Sequence, residues 1–139
     1  MLSIGMLSKR SGVKIPTIRY YEDIGILKEA ERSVGNQRRY RDSDLERLAF
    51  VRHARQLGFS LEGISSLIAL QEHPDRSCAE AGALARAQRQ LVQDKIDRLQ
   101  RLEQELTRIS QGCDGQGTAG ECYVLSCLSD HGACVTEHE

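Results

Sequence analysis

Apolar positions recur with two periods along this chain, and both are helical. In the back half, Leu99, Leu102, Leu106 and Ile109 are spaced 3, 4 and 3, and Val92, Ala85 and Ala81 extend the stripe backwards. Glu80, Arg86, Arg89, Asp94, Asp97, Arg98, Arg101, Glu103 and Arg108 mostly take the other faces. Between Pro74 and Gly112 there is no proline, and Gly82 is the only glycine. This is a heptad seam, and it predicts one long helix ending at Gln111. Its stripe is too narrow for a small globular core, so the expected partner is the same helix of a second chain. In the front half the periods are short and punctuated. Ser3 caps a helix over Ile4–Ser11 that Gly12 ends. Pro16 opens a second helix, about Ile15–Ile24. Residues 28–41 read as a hairpin with Val34-Gly35-Asn36-Gln37 at its tip, where Gly35 and Asn36 can both take positive φ. Asp42 or Ser43 caps a third helix carrying Leu45, Leu48, Val51 and Ala54, which Gly58 ends. A fourth, about Leu61–Gln71, begins after Ser60, and Ser77 can cap the long helix.

Two short helices joined by a glycine-containing turn make a helix-turn-helix unit, whose second helix enters the major groove of DNA. On that helix Thr17, Arg19 and Tyr20 offer a hydroxyl, a guanidinium and a phenol, the donor types that meet phosphates and base edges. The hairpin adds Arg38, Arg39 and Arg41 around Tyr40, a basic wing suited to a duplex backbone. An ordinary helical hairpin with a solvated arginine run is the alternative. Charge adds to the DNA reading. The net charge is −1, yet residues 1–60 hold 12 Lys and Arg against 7 Asp and Glu, while residues 61–139 hold 7 against 13. A basic front and an acidic back point to nucleic acid at one end and a different task at the other.

The chain of 139 residues has room for one small domain and a dimerisation arm, with boundaries at 1–70, 71–111 and 112–139. No run is apolar enough to span a bilayer, so no membrane partner is expected. No export signal is visible, and a cytoplasmic protein is expected. In that setting five cysteines indicate reduced thiols, metal ligands or redox sensing. Cys78 and Cys113 are 35 positions apart, about 50 Å along one helix. They share a ligand only if two such helices run antiparallel. The glycine-rich stretch 114–120 can then loop Cys122 back to the same place. The spacing predicts two equivalent three-thiolate sites, each built from both subunits. It leaves open a plainer reading, in which Cys78 and Cys113 merely sit at helix ends. Cys127, His131, Cys134 and His138 follow in the tail, as a second site, a holding place for incoming metal, or neither. His73 lies five positions before Cys78.

The strings Thr17-Ile18-Arg19-Tyr20-Tyr21-Glu22-Asp23-Ile24-Gly25-Ile26-Leu27 and Asn36-Gln37-Arg38-Arg39-Tyr40, with Ile4-Gly5 and Leu57-Gly58-Phe59-Ser60-Leu61-Glu62, resemble the MerR family of transcriptional regulators. The resemblance covers essentially the whole chain. It implies a mainly α fold: an N-terminal winged helix-turn-helix domain, a short helical connector, a long antiparallel coiled-coil dimerisation helix and a C-terminal metal-binding loop. It implies a homodimer on double-stranded promoter DNA that, on binding an effector, bends and untwists the DNA so that RNA polymerase can engage. By the same resemblance the DNA contacts are Thr17, Arg19, Tyr20, Arg38 and Tyr40. Cys78, Cys113 and Cys122 resemble the ligands of the members that sense mercury, lead, cadmium and zinc. The Cu(I)-sensing branch usually has serine in place of Cys78, and a third thiolate suits a divalent ion better. Three thiolates suit Hg²⁺ or Pb²⁺; Zn²⁺ or Cd²⁺ prefer a fourth ligand, from Cys127, His131, Cys134, His138 or water.

Three other readings compete. Cys113, Cys122, Cys127 and Cys134 are numerous enough for an iron–sulfur cluster, although their intervals of 9, 5 and 7 are wide. A thiol-redox sensor needs no metal, and a cytosolic metal-buffering protein would ignore DNA. An enzyme is not expected, because no nucleophile–base constellation and no phosphate-cradling glycine loop occurs.

Overall fold

The computed structural model describes residues 1–130 and divides into two units, Met1–Ala85 and the residues from Arg86 onward. The first unit begins with α1 (Ile4–Ser11) and α2 (Ile15–Asp23). The Ser3 side chain accepts the Met6 N–H at 3.2 Å, satisfying one of the donors that a helix start leaves open. At the other end Gly12 adopts φ 74° and returns its N–H to Ser8. That left-handed step turns the chain into α2 at a residue with no Cβ to oppose it.

After α2 come two short antiparallel strands, β1 (Glu31–Arg32) and β2 (Arg38–Arg39), with Glu31 opposite Arg39. Asn36 alone takes the positive φ at the tip, at 61°; Gly35, which could also have taken it, does not. Leu2 and Tyr40 exchange both backbone hydrogen bonds, at 2.7 and 2.8 Å, so the start of the chain is tied to the end of the wing. The helices α3 (Asp42–Gln56) and α4 (Leu61–Gln71) complete the unit. The cap of α3 is Arg41 rather than Asp42 or Ser43. Asp44 reaches back to accept the Arg41 N–H at 2.8 Å, which draws Asp42 and Ser43 into the first turn. Ser60 caps α4 through the Gly63 N–H at 3.0 Å.

These elements close over one core. Leu7, Ile18, Leu27, Tyr40, Leu48, Val51 and Ile64 have almost no exposed surface, and α3 packs against both α1 and α4. Each buried Leu or Ile contributes about 1.5–3 kcal/mol. The core orients α2 so that Ile18 and Tyr21, three positions apart, face inwards and the residues between them face out.

A single helix, α5 (Ala79–Gln111), runs from the first unit into the second, and the Ser77 side chain accepts the Ala79 N–H at 3.1 Å at its start. Leu91, Val92, Ile96, Leu99 and Leu106 are all exposed along it, an apolar seam that a single chain leaves uncovered. Beyond Gln111 come a loop, one 3₁₀ turn (Ala119–Glu121) and α6 (Tyr123–Ser129). Among the described residues no helix is long and apolar enough to cross a membrane.

Candidate functional site

Two groups of residues carry chemistry, one in each unit. In the first, α2 presents Arg19 and Tyr20 to solvent and Thr17 half-buried beside them, because Ile18 and Tyr21 occupy the inward positions. The wing lies next in the chain. Arg39 is half-buried and donates to the Gln37 side chain at 3.1 Å, and Arg41 pairs with Glu31. Lys14, Arg52 and Arg55 line a shallow depression with Thr17, so positive charge extends from α2 onto α3.

Tyr40 departs from its expected place among the DNA contacts. It is fully buried, and its hydroxyl donates to Glu22 Oε1. The same carboxylate accepts the Ala30 N–H at 3.4 Å and stands 3.6 Å from Arg38 Nη1. Glu22 on α2 thus gathers a phenol, a backbone amide and a guanidinium from the wing, with only 7% of its own side chain exposed. Burial and the adjacent carboxylate push the Tyr40 phenol up to about 12. Tyr40 therefore supports the wing from inside, and Arg38 is partly committed to Glu22. Local pattern gave no warning of Glu22, whose partners lie 8 and 18 positions away. The hint for Tyr40 was a single aromatic at the end of an otherwise charged strand.

The second group is formed by the cysteines. Cys113 and Cys122 approach to 4.0 Å between sulfurs across the loop that follows α5. Gly115 takes φ 78°, and the Asp114 side chain accepts the Gln116 N–H at 2.9 Å, so the glycine-rich stretch does loop back. Thr118, Tyr123 and Leu125 join the two thiols around a cleft of about 220 Å³. Cys122 precedes α6, and the backbone N–H groups of Leu125 and Val124, with the Cys113 thiol, hold it below its ordinary value despite an opposing effect of burial. That favours the thiolate, the form that binds metal.

Cys78 belongs to the first unit, just before α5, and is exposed. It stands on the rim of an apolar groove lined by Phe50, Leu67, Leu70, His73 and Pro74. Among the described residues of one chain, no three His, Cys, Asp or Glu side chains stand together as a metal site. Cys127, one of the candidates for an additional ligand, is buried, with its sulfur 3.9 Å from Arg108 Nη2. A guanidinium lies beside the sulfur, and the residue has almost no exposed surface. His131, Cys134 and His138 lie outside the described residues.

The donor set fits a thiophilic metal. Two sulfurs at about 2.3 Å from one metal are about 4.6 Å apart when opposite each other, and about 3.8–4.0 Å apart around a tetrahedral or trigonal centre. The Cys113–Cys122 separation falls in the second range.

Residues 2–71 match the family described as MerR HTH family regulatory protein, and residues 45–109 match the one described as MerR, DNA binding. This chain belongs to the MerR family. MerR-family proteins are transcriptional regulators rather than enzymes. A probable heavy metal-dependent transcriptional regulator of Haemophilus influenzae is 39% identical over 92% of this chain and 99% of its own length. The mercuric resistance operon regulatory protein of Serratia marcescens is 35% identical over 91% of this chain and 87% of its own. Among solved structures, a transcription regulator from Ralstonia metallidurans in complex with lead(II) superposes with a TM-score of 0.80. It shares 38% identity and covers 92% of this chain and 99% of its own.

Proposed function

We propose that this MerR-family chain is a metal-responsive regulator that acts as a homodimer on promoter DNA in the cytoplasm. Its effector is a divalent thiophilic ion of the Zn²⁺, Cd²⁺, Pb²⁺ and Hg²⁺ group. The observation that carries the reading is the pairing of Cys113 and Cys122 at 4.0 Å around a loop cleft, with the Cys122 thiol shifted toward its thiolate. Relatives named for heavy metals, mercuric resistance and lead add support. In this reading Cys113 and Cys122 of one copy and Cys78 of the second hold the ion, and Cys127 takes no part. A third thiolate neutralises a divalent ion better than two do.

The domains divide as 1–70, 71–111 and 112–139. Thr17, Arg19, Tyr20 and Arg38, with Arg39 of the wing, form the DNA face, and Tyr40 stands behind it. The exposed seam from Val92 to Leu106 pairs the two copies along α5. The ion, when bound, ties the two chains together and so favours one dimer geometry. DNA deformation then carries that choice to RNA polymerase. A two-thiolate Cu⁺ sensor is the second reading, and the third thiol, Cys78, disfavours it. A cluster on Cys113, Cys122, Cys127 and Cys134 is disfavoured by the burial of Cys127 against Arg108.

Run-off transcription from the chain's own promoter, with each metal in turn, tests the reading. Metal-dependent transcription that Cys113→Ser abolishes, without loss of DNA binding, is the expected result. Metal-independent transcription, or failure to bind the promoter at all, overturns it.

A further inference from the structure

We propose that Arg108 is a positioning residue for the Cys113–Cys122 pair; the proposal rests on the metal-binding reading above and adds to it. The last turns of α5 and the helix α6 are joined by a compact polar latch. Arg108 donates from Nε at 3.3 Å and from Nη2 at 2.5 Å to the two carboxylate oxygens of Glu105, a fork-on-carboxylate pairing with little conformational freedom. Glu105 is buried, at 4% exposure, in a helix otherwise mostly solvated. The other arm of the guanidinium, Nη1, donates to the Tyr123 hydroxyl, and Cys127 closes against Nη2.

The latch grips the residue next to a proposed ligand. Tyr123 follows Cys122 directly, and its ring lies over Gly112, the residue before Cys113. A Cβ on Gly112 would stand 2.2 Å from the ring. Both ends of the thiol loop are thus fixed by one side chain: Gly112 beneath the ring and Cys122 beside it. Arg108 holds that ring in place through its hydroxyl. The thiols meet at 4.0 Å because the loop between them has been closed before any ion arrives, so less ordering remains to be done on binding. Groups that orient ligands from behind typically change metal affinity 10–100-fold.

The test is a Cd²⁺ competition titration on the full-length reduced dimer, followed by the thiolate-to-metal absorption band. It uses wild type, Arg108→Gln, Arg108→Lys, Tyr123→Phe and the Arg108→Gln/Tyr123→Phe double variant. Labelling of Cys127 by a thiol reagent, without metal, is measured in parallel. Arg108→Gln is expected to weaken Cd²⁺ about 10–100-fold and to speed Cys127 labelling. Its absorption at saturation stays at the wild-type level, because the ligands are unchanged. Tyr123→Phe is expected to weaken binding by a similar factor, and the double variant is no worse than either single one, since both act through one contact. Arg108→Lys, which keeps the charge but not the fork, is expected to behave like Arg108→Gln. Fast Cys127 labelling with wild-type Cd²⁺ affinity overturns the positioning role while leaving the metal site standing. A reduced band at saturation overturns it in favour of a lost ligand. Absence of Cd²⁺ binding by wild type overturns the metal reading, and the assigned role with it, even where labelling still reports the latch.

Discussion

Tyr40→Phe removes one oxygen from the centre of the first unit and leaves the ring in place. The lost interaction is a phenol donating to the Glu22 carboxylate in a buried setting. Hydrogen bonds to charged groups contribute about 1.5–3 kcal/mol net, so the variant is expected to lose that much at neutral pH. The pH dependence makes the prediction sharper. In the folded chain the phenol is pushed up to about 12 from its ordinary value of 10.0. Between those two values the unfolded chain releases a proton that the native chain keeps, so stability falls as pH rises. The contribution is complete below pH 10 and lost by about pH 12, on the order of 2–3 kcal/mol over that window. Urea denaturation of both proteins at pH 8 and at intervals above pH 10 measures the gap between them. The gap is expected to narrow steadily above pH 10, because the variant has no buried phenol to ionise. A gap that stays constant with pH, or that is absent at pH 8, refutes the Glu22–Tyr40 account. Promoter affinity of Tyr40→Phe at neutral pH should remain within about threefold of wild type, since the hydroxyl is buried against Glu22.

Other outcomes follow from the same geometry. Leu48→Ala empties a fully buried position on α3 and is expected to cost about 2–5 kcal/mol in chemical denaturation; a loss below 1 kcal/mol would contradict the described core. Gly12→Ala places a Cβ at φ 74°, 2.3 Å from Arg52 Nη1, which itself donates to the Ser11 carbonyl. It should cost at least about 1–2 kcal/mol by the same assay, and a neutral result would mean the α1–α2 turn is built otherwise. Arg19→Ala should weaken promoter binding about tenfold and reduce the salt slope by about one, whereas unchanged binding removes that face of α2 from the interface.

Much of the fold could be read from local chemistry. Ser3, Gly12 and Ser60 mark helix ends by the residue types themselves, and α1 and α4 have the bounds those residues imply. The start of α3 escaped because Asp42, Ser43 and Asp44 are all competent near a helix start, and only the reach of Asp44 back to Arg41 decides among them. The tip of the wing holds two residues able to take positive φ, and the pattern could not say that Asn36 alone would. Tyr40, expected to face DNA, is buried for a longer-range reason. Flanked by arginines, it looks solvent-facing, and only the pairing with Leu2 and the carboxylate of Glu22 shows that the strand turns it inwards. In the second unit, glycine content correctly indicated a loop between Cys113 and Cys122. The helix α6 was not foreseen: it is seven residues long, its cap is a cysteine, and its anchor is a half-buried network around Arg108. That network also buries Cys127, which the spacing alone left among the ligand candidates.

The most direct test of the two-chain thiolate site is complementation between variants. Cys78→Ser and Cys113→Ser/Cys122→Ser are titrated with Cd²⁺ separately, then after mixing and subunit exchange at equal amounts. Each alone is expected to bind weakly or not at all. The mixture should recover tight binding at about a quarter of wild-type capacity, because half of randomly paired dimers carry one complete site of two. Recovery at that level places Cys78 of one copy with Cys113 and Cys122 of the other. Wild-type affinity in Cys78→Ser alone, or no recovery after mixing, contradicts the account.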